Sequence, residues 1–276
     1  YKRQVMADNT EKKSLFRPTF IVAGLTSLSR VVGLIRDILI SNVLGVSYIT
    51  DIFIVALRIP NIFRRITAEG AFSAAFIPMF SKKLISNKIS AIKFSEDILF
   101  MSLIIMISLT SVLQIFMPFF IFFIAYGFTN DPIKYDLAIN FSRITAPYIL
   151  LISLSSIGIA ILNSLGRYFA SSLGPVIFNA VLVFILILPI NNIYSMGYLL
   201  SFGVTFSGVI QFLLVFYFLS KSGYKLNLRK PDNLNLINKF STIARPQIIT
   251  GLAVQANIVL SGIIASFVEG GICLLY

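Results

Sequence analysis

The side chains best suited to bind a ligand are arginines placed in apolar helices. Five of them occur within about 35 residues: Arg30, Arg36, Arg58, Arg64 and Arg65. The first two belong to an apolar run, 20–44, that is long enough to cross a bilayer at 1.5 Å per residue. A charge near the middle of such a run costs roughly 2.5–3.5 kcal/mol on insertion scales. These arginines therefore predict a polar cavity that holds an anionic substrate.

Three of these arginines have an acid within intrahelical reach. The pairs are Arg30 with Asp37, Arg58 with Asp51, and Arg65 with Glu69. The first two pairs are seven residues apart, which places their members about 20° apart on a helix, and the third has i,i+4 spacing. These three arginines are therefore predicted to form ion pairs within their own helices.

Arg36 and Arg64 have no acid at a favourable helical spacing, and Ser29 lies one heptad before Arg36 on the same face. A guanidinium group without an internal partner is well suited to bidentate binding of phosphate or carboxylate. We therefore expect Arg36 and Arg64 to bind an anionic group of the substrate, either phosphate or carboxylate.

Structural interpretations of the same residues stay open. Instead of lining a cavity, three arginines of the second span could extend their charged ends to the lipid headgroups: Arg58, Arg64 and Arg65. Arg30 would serve helix packing if it pairs with Asp37, and Arg36 would snorkel outward. Three buried amides favour interhelical hydrogen bonds over ligand binding: Gln211, Gln255 and Asn257.

Composition defines the class of protein. The chain is 57% hydrophobic and 12% charged, which predicts an all-α, polytopic integral membrane protein. It has no His and a single Cys, and it lacks the H-E-x-x-H, C-x-x-C and Walker motifs, so we expect neither an enzyme nor a metal or cofactor site. The net charge of +12 is dispersed between apolar spans, which argues against nucleic acid as a partner.

Seven apolar spans can be recognised, and an eighth begins near Gly270. They run approximately over 18–44, 50–81, 95–126, 136–163, 168–190, 193–219 and 243–268. Pro60 predicts a kink or break near 59–61, and the third span is either one helix or a helix plus a re-entrant piece around Pro118. The chain opens on Tyr and stops inside the eighth apolar segment, so we expect it to be part of a longer protein.

The connections between spans differ sharply in charge. Sixteen Lys and Arg residues fall in the N-terminal segment and in alternate loops, whereas the opposite loops hold Lys134 alone. Positively charged loops stay in the cytoplasm. The N-terminus is therefore predicted to be cytoplasmic.

Residues 29–80 carry a long motif. The stretch P-N-x-x-R-R-x-x-A-E-G-A-F-S-x-A-F-I-P at 60–78 strongly resembles the MurJ (MviN) family of lipid II flippases. The similarity continues through P-Y-I-L-L-I-S-L at 147–154, A-I-L-N-S at 160–164 and I-A-S-F at 264–267, and it covers nearly the whole chain from about Leu15.

The resemblance implies a fold, a site and a function. Family members have two six-helix lobes of the multidrug/oligosaccharidyl-lipid/polysaccharide exporter fold plus two C-terminal helices. The implied domains are a cytoplasmic segment (1–17), a six-helix N-lobe (18–220), a basic interlobe linker (221–242), and helix seven with the start of helix eight (243–276). The implied substrate-binding arginines are Arg30, Arg36 and Arg64, with a supporting polar network at Ser29, Asp37, Asp51, Asn61, Arg65 and Glu69. A further family arginine would follow Tyr276.

The implied activity is translocation of the undecaprenyl-diphosphate-linked peptidoglycan precursor, lipid II, from the inner to the outer leaflet of the bacterial plasma (inner) membrane. Alternating access of the two lobes would carry the lipid across the membrane. The process would be cell-wall biogenesis, with the cell-wall synthesis machinery as a partner. Alternatives are an exporter of another diphosphate-linked glycan lipid, a multidrug exporter of the same superfamily, or a non-transporting scaffold.

Overall fold

The computed structural model describes residues 2–67, 71–231, 234–268 and 272. Helices make up nearly all of the described chain. They are α1 (Lys2–Val43), α2 (Tyr48–Thr67), α3 (Ala71–Ser86), α4 (Lys88–Ile115), α5 (Met117–Ile124), α6 (Pro132–Thr145), α7 (Pro147–Ser164), α8 (Phe169–Leu186), α9 (Ile193–Lys221) and α10 (Leu234–Ala265), with a 3₁₀ turn at Tyr126–Asn130. The all-α prediction is confirmed.

Five stretches of the described residues are long and apolar enough to cross a membrane. They are Thr19–Val43, Lys88–Ile115, Pro132–Ser164, Phe169–Leu186 and Ile193–Lys221. The 20-residue α2 is long enough to join them, but it carries one Asp and three Arg residues. The charged helix is thus surrounded by apolar ones.

The helix α7 forms the centre of the bundle. It is buried along most of its length and packs against α9, α4, α3 and α2. In contrast, α1 makes its main contact with α8 alone. The bundle has two ends, which we name by their connections: the basic end carries 86–88, 165–168 and 222–231, and the opposite end carries 44–47, 125–131 and 187–192.

The third span agrees with the second of its two predicted alternatives, a helix followed by a separate piece around Pro118. The helix α4 ends at Ile115, and Pro118 lies at the start of the separate helix α5. Eight residues cannot cross a bilayer, so α5 stays at the opposite end and the alternation of loops is unchanged. The predicted linker 221–242 is shorter, since α10 begins at Leu234 and only 222–231 of its described residues lie outside helices.

Pro60 was predicted to break the second span, but α2 continues through it to Thr67. Proline has no N–H to bond to the carbonyl four residues earlier, which is that of Ala56. The hydroxyl of Thr145 on α6 donates to this Ala56 carbonyl at 2.9 Å. A buried side chain from a neighbouring helix thus replaces the missing intrahelical bond, and the helix needs no break.

Pro147 separates α6 from α7, and the same compensation operates there. The carbonyl that its ring deprives of a partner is that of Arg143, which accepts a bond from Gln114 Nε2 on α4 at 2.8 Å. The next carbonyl, of Ile144, accepts one from Thr205 Oγ1 on α9 at 2.5 Å. Side chains of two adjacent helices therefore stabilise the discontinuity in the middle of this span.

A buried ion pair lies at the opposite end. Asp51 of α2 is fully buried, and Lys134 in the first turn of α6 approaches its Oδ2 with Nζ at 3.5 Å. The same ammonium lies 4.3 Å from the centre of the Phe128 ring. The loop lysine of the sequence prediction is therefore a buried contact between α2 and α6.

At the basic end, the connection between α9 and α10 is fastened to α4. Arg229 donates to Glu96 Oε2 at 2.7 Å and to Asp97 Oδ1 at 2.9 Å. The backbone N–H of Asn227 donates to Glu96 Oε1 at 2.9 Å. Both acids are almost fully buried, so these bonds compensate the cost of removing their charges from water.

Replacing Thr145 by Val should destabilise the bundle by about 1 kcal/mol, because the Ala56 carbonyl loses its interhelical donor inside the membrane. The measurement is the free energy of unfolding from titration with SDS. Thr110→Val is the matched control, since the buried Thr110 hydroxyl has no hydrogen-bond partner in the described part of the chain. Equal effects of the two substitutions would contradict this role of Thr145.

Replacing Lys134 by Met should cost about 3 kcal/mol, because the buried Asp51 carboxylate loses the ammonium that balances its charge. The double variant Asp51→Asn/Lys134→Met should recover most of this loss, since no buried charge of the pair remains. Thermal unfolding followed by circular dichroism separates the two variants. A double variant no more stable than Lys134→Met would show that the charge pair is unimportant.

Candidate functional site

A cavity of about 430 Å³ lies between α1, α2, α7, α8 and α9. Its lining residues extend from the middle of the bundle toward the basic end. They are Arg36, Asn61, Arg64, Arg65, Tyr148, Ile152, Ile159, Asn163, Ser171, Gly174, Pro175, Phe178, Asn179 and Gln211. The described lining thus has three guanidinium groups, a set of neutral amides and no carboxylate.

Arg36 enters the cavity from α1, and its guanidinium is only 11% exposed. Its Nε and Nη2 donate to Asp37 Oδ1 at 2.9 and 2.6 Å. Its Nη1 donates to Asn179 Oδ1 of α8 at 2.9 Å. Both contacts fix the plane of the guanidinium, which is the arrangement needed for oriented hydrogen bonds to an anion.

The predicted pairing of α1 is wrong on one point. Arg36 was expected to have no acid within reach and Asp37 to approach Arg30, whereas Asp37 pairs with its sequence neighbour Arg36. Adjacent helical residues diverge by about 100°, but the long arginine stem can curve back along the helix surface. Asp37 remains 48% exposed, so its ion pair is accessible to a competing anion.

Asn179 connects this arginine to the helix packing. While its Oδ1 accepts from Arg36, its Nδ2 donates to the backbone carbonyl of Ser29 at 3.1 Å and lies 3.5 Å from the Ser29 hydroxyl. Gly33 allows α1 and α8 to approach closely at this point, since a Cβ added at this position would lie only 3.2 Å from Asn179 Nδ2. One amide therefore satisfies the backbone and orients the guanidinium.

The helix α2 contributes the other cations. Asn61, Arg64 and Arg65 lie within five residues after Pro60, and all three line the cavity. Arg64 is partly buried, whereas Arg65 is exposed. The motif residues at 61, 64 and 65 therefore line the same cavity as Arg36.

The remaining predicted site residues lie elsewhere. Arg30 is exposed on α1 and outside the cavity lining, and no described residue forms an ion pair with it. Asp51 belongs to the buried pair with Lys134 at the opposite end. Glu69, predicted to pair with Arg65, lies outside the described residues.

Four neutral residues of the cavity were not predicted as site residues: Asn163, Ser171, Asn179 and Gln211. Asn163 lies inside the A-I-L-N-S motif, which is the one signal that would have identified it. Gln211 was expected to bond to another helix, but its Nε2 is buried without a hydrogen-bond partner among the described residues. Single amides in apolar helices carry no spacing signal, so only packing reveals them.

The lining of this cavity is rich in charged hydrogen-bond donors. Among the described residues, no group of three or more His, Cys, Asp and Glu side chains has the proximity to hold a metal ion. The lining instead combines charged hydrogen-bond donors with apolar walls from Tyr148 and Phe178, the usual composition of a small-molecule site.

Comparison with known proteins identifies the family. Residues 40–276 match the family model described as "Lipid II flippase MurJ". The chain is 34% identical over 264 residues to a protein of Rhizobium meliloti named "Probable lipid II flippase MurJ", covering 94% of this chain and 49% of that protein. A protein of the same name from Rickettsia prowazekii is 32% identical over 262 residues, covering 95% of this chain and 52% of that protein. The chain thus spans about half the length of the curated relatives it matches.

Solved structures agree with this assignment. The fold resembles "Lipid II flippase MurJ, inward closed conformation" with a TM-score of 0.78 and 25% identity, covering 93% of this chain and 53% of that one. It also resembles a MATE transporter crystallised with MaD3S, with a TM-score of 0.59 and 16% identity over 94% of this chain and 57% of that one, a likeness of fold alone. Since the family model matches most of the sequence and close relatives carry the same family name, the chain belongs to the MurJ family of lipid II flippases.

Proposed function

We propose that this chain forms the substrate-binding part of a flippase that carries a diphosphate-linked lipid, lipid II, from the inner to the outer leaflet of the plasma membrane. The observation that supports this is the cavity with three arginines and no carboxylate in its described lining. The carboxylate that balances Arg36, that of Asp37, is half-exposed and lies outside this lining, so the cavity offers guanidinium groups to a ligand. The names of the relatives support lipid II as that ligand.

The diphosphate would bind where the Arg36–Asp37 pair now lies. The guanidinium uses three of its five N–H groups on Asp37 and Asn179. A phosphate that binds to both Nε and Nη2 would displace the half-exposed carboxylate. Asn179 would keep the guanidinium oriented during this exchange. The released Asp37 would then be free to pair elsewhere, which couples substrate binding to a change of ion pairs.

Arg64 and Arg65 would receive the second phosphate at the basic end of the cavity. Arg30 would act differently, since it lies on the exposed side of α1 and outside this cavity. A guanidinium in the middle of a membrane span needs a polar surface, so this side of α1 would face the central cavity between two lobes. Arg30 would there add to the field that attracts the anionic headgroup.

The position of the cavity is compatible with alternating access. It extends from mid-bundle to the basic end, where the positive loops predict the cytoplasmic side. A membrane potential would contribute about 2.3 kcal/mol per charge for each 100 mV crossed. Transport of the lipid through an exchange of ion pairs requires no covalent step. The proposed mechanism uses no metal, cofactor or nucleic acid.

The alternatives differ in the charge that they need. A multidrug exporter of organic cations would use carboxylates and aromatic rings, whereas the described lining of this cavity has guanidinium groups. An exporter of another diphosphate-linked glycan lipid would use the same arginines. Rescue of cells depleted of their own flippase distinguishes these substrates, because only export of the peptidoglycan precursor restores growth.

Arg36→Ala should abolish export of the precursor, because loss of a charged, oriented donor weakens anion binding by about 10- to 100-fold. The measurement is exposure of the precursor in the outer leaflet of depleted cells that express the protein from its complete gene. Arg143→Ala is the matched control, since Arg143 is exposed on α6 and lies outside the cavity lining. Normal export by Arg36→Ala at normal membrane levels would refute this role of Arg36.

The orientation of the chain gives a separate test. In a Cys273→Ser background, Asn130→Cys at the opposite end should react with an impermeant maleimide on intact cells. Lys225→Cys at the basic end should react only after the membrane is opened, although both positions are exposed in the structure. The reverse pattern would contradict the proposed cytoplasmic N-terminus.

A further inference from the structure

Gln211 is a buried polar group with unused hydrogen-bonding capacity. Its side chain lies in the middle of α9, is 5% exposed, and its Nε2 has no hydrogen-bond partner among the described residues. Buried donors are nearly always paired in native proteins, so a donor without a partner in the described part of the chain is available to a ligand in the cavity. Gln211 lines the same cavity as Arg36 and Arg64.

The neighbouring helix provides space for this amide. A Cβ at Gly174 of α8 would lie 3.1 Å from Gln211 Oε1, closer than ordinary van der Waals contact. A methyl group added at this position would therefore push the end of the Gln211 side chain by a few tenths of an ångström.

Two neutral polar side chains line the same cavity as Gln211. Ser171 donates to the amide oxygen of Asn163 at 3.1 Å, which leaves the Asn163 NH₂ group available. Tyr148 and Phe178, whose ring centroids are 5.8 Å apart, supply an apolar wall on the same cavity. Neutral donors next to aromatic rings match uncharged hydroxyl and acetamido groups, whereas the guanidinium groups match phosphate.

We propose that Gln211 donates a hydrogen bond to the sugar attached directly to the diphosphate and so makes the cavity selective for a glycosylated lipid. This proposal rests on the proposed function. The diphosphate has two substituents, and the polyprenyl chain offers no acceptor to an amide. With the phosphates at Arg36 and Arg64, the first sugar is the group that reaches the neutral part of the same cavity. Asn163 and Ser171 would complete its contacts.

The experiment compares two ligands on the purified protein expressed from its complete gene: polyprenyl diphosphate, and the same lipid carrying an N-acetylated sugar on the diphosphate. Gln211→Leu should bind the glycosylated lipid about tenfold more weakly than the wild type, since one buried hydrogen bond is lost. Its affinity for the bare diphosphate should be unchanged. Arg36→Ala should weaken both ligands.

Two further variants protect the test. Gly174→Ala should reproduce the selective loss without changing Gln211, because its added methyl group displaces the amide. Gln114→Leu makes the same substitution on α4, outside the cavity lining, and should bind both lipids like the wild type. Thermal unfolding of each variant, measured in detergent, shows whether its fold is retained.

Each failure has a distinct meaning. Equal weakening of both ligands by Gln211→Leu, or no weakening of either, would overturn the sugar contact while leaving the diphosphate site intact. Equal binding of the two lipids by the wild type would also overturn it. A wild type that binds neither lipid would refute the proposed function and the sugar contact with it.

Discussion

The structure depends on one constraint: polar groups placed among apolar helices must be satisfied by other parts of the protein or by a ligand. Arg36 shows this most clearly, because its guanidinium is nearly buried and is held by Asp37 and Asn179. Asn179 in turn satisfies the Ser29 carbonyl and fixes the distance between α1 and α8. The same set of contacts therefore positions the Arg36 guanidinium and packs α1 against α8.

The backbone obeys the same constraint at its prolines. Pro60 and Pro147 each remove a helical hydrogen bond, and hydroxyl and amide side chains from adjacent helices bond to the exposed carbonyls. These contacts tie α2 to α6 and α6 to α4 and α9. A helix can thus carry proline within the bundle, close to the cavity, without losing its direction. Asp51 and Lys134 perform an equivalent function for charge at the opposite end.

The cavity divides naturally into two kinds of chemistry. Arginines of α1 and α2 offer charged, bidentate donors, whereas α7, α8 and α9 contribute Asn163, Ser171 and Gln211. A ligand that is anionic at one point and neutral and hydroxylated beside it uses both. The Asp37 carboxylate competes for the charged part, so an empty cavity keeps its guanidinium paired while a bound anion would release the acid. Binding and rearrangement are linked through that competition.

The sequence by itself determined the all-α membrane class and the motif from 60 to 78, because hydropathy and helical periodicity are local properties. Tertiary structure decided which partner each charge takes. Asp37 pairs with Arg36 instead of Arg30, and Asp51 pairs with Lys134 from a helix more than eighty residues away. No sequence pattern marked Asn179 and Gln211 as cavity residues, since the role of a single amide depends on the neighbours with which it packs. The physical reason is that helix formation is encoded within a few turns, whereas the pairing of buried polar groups depends on contacts between helices.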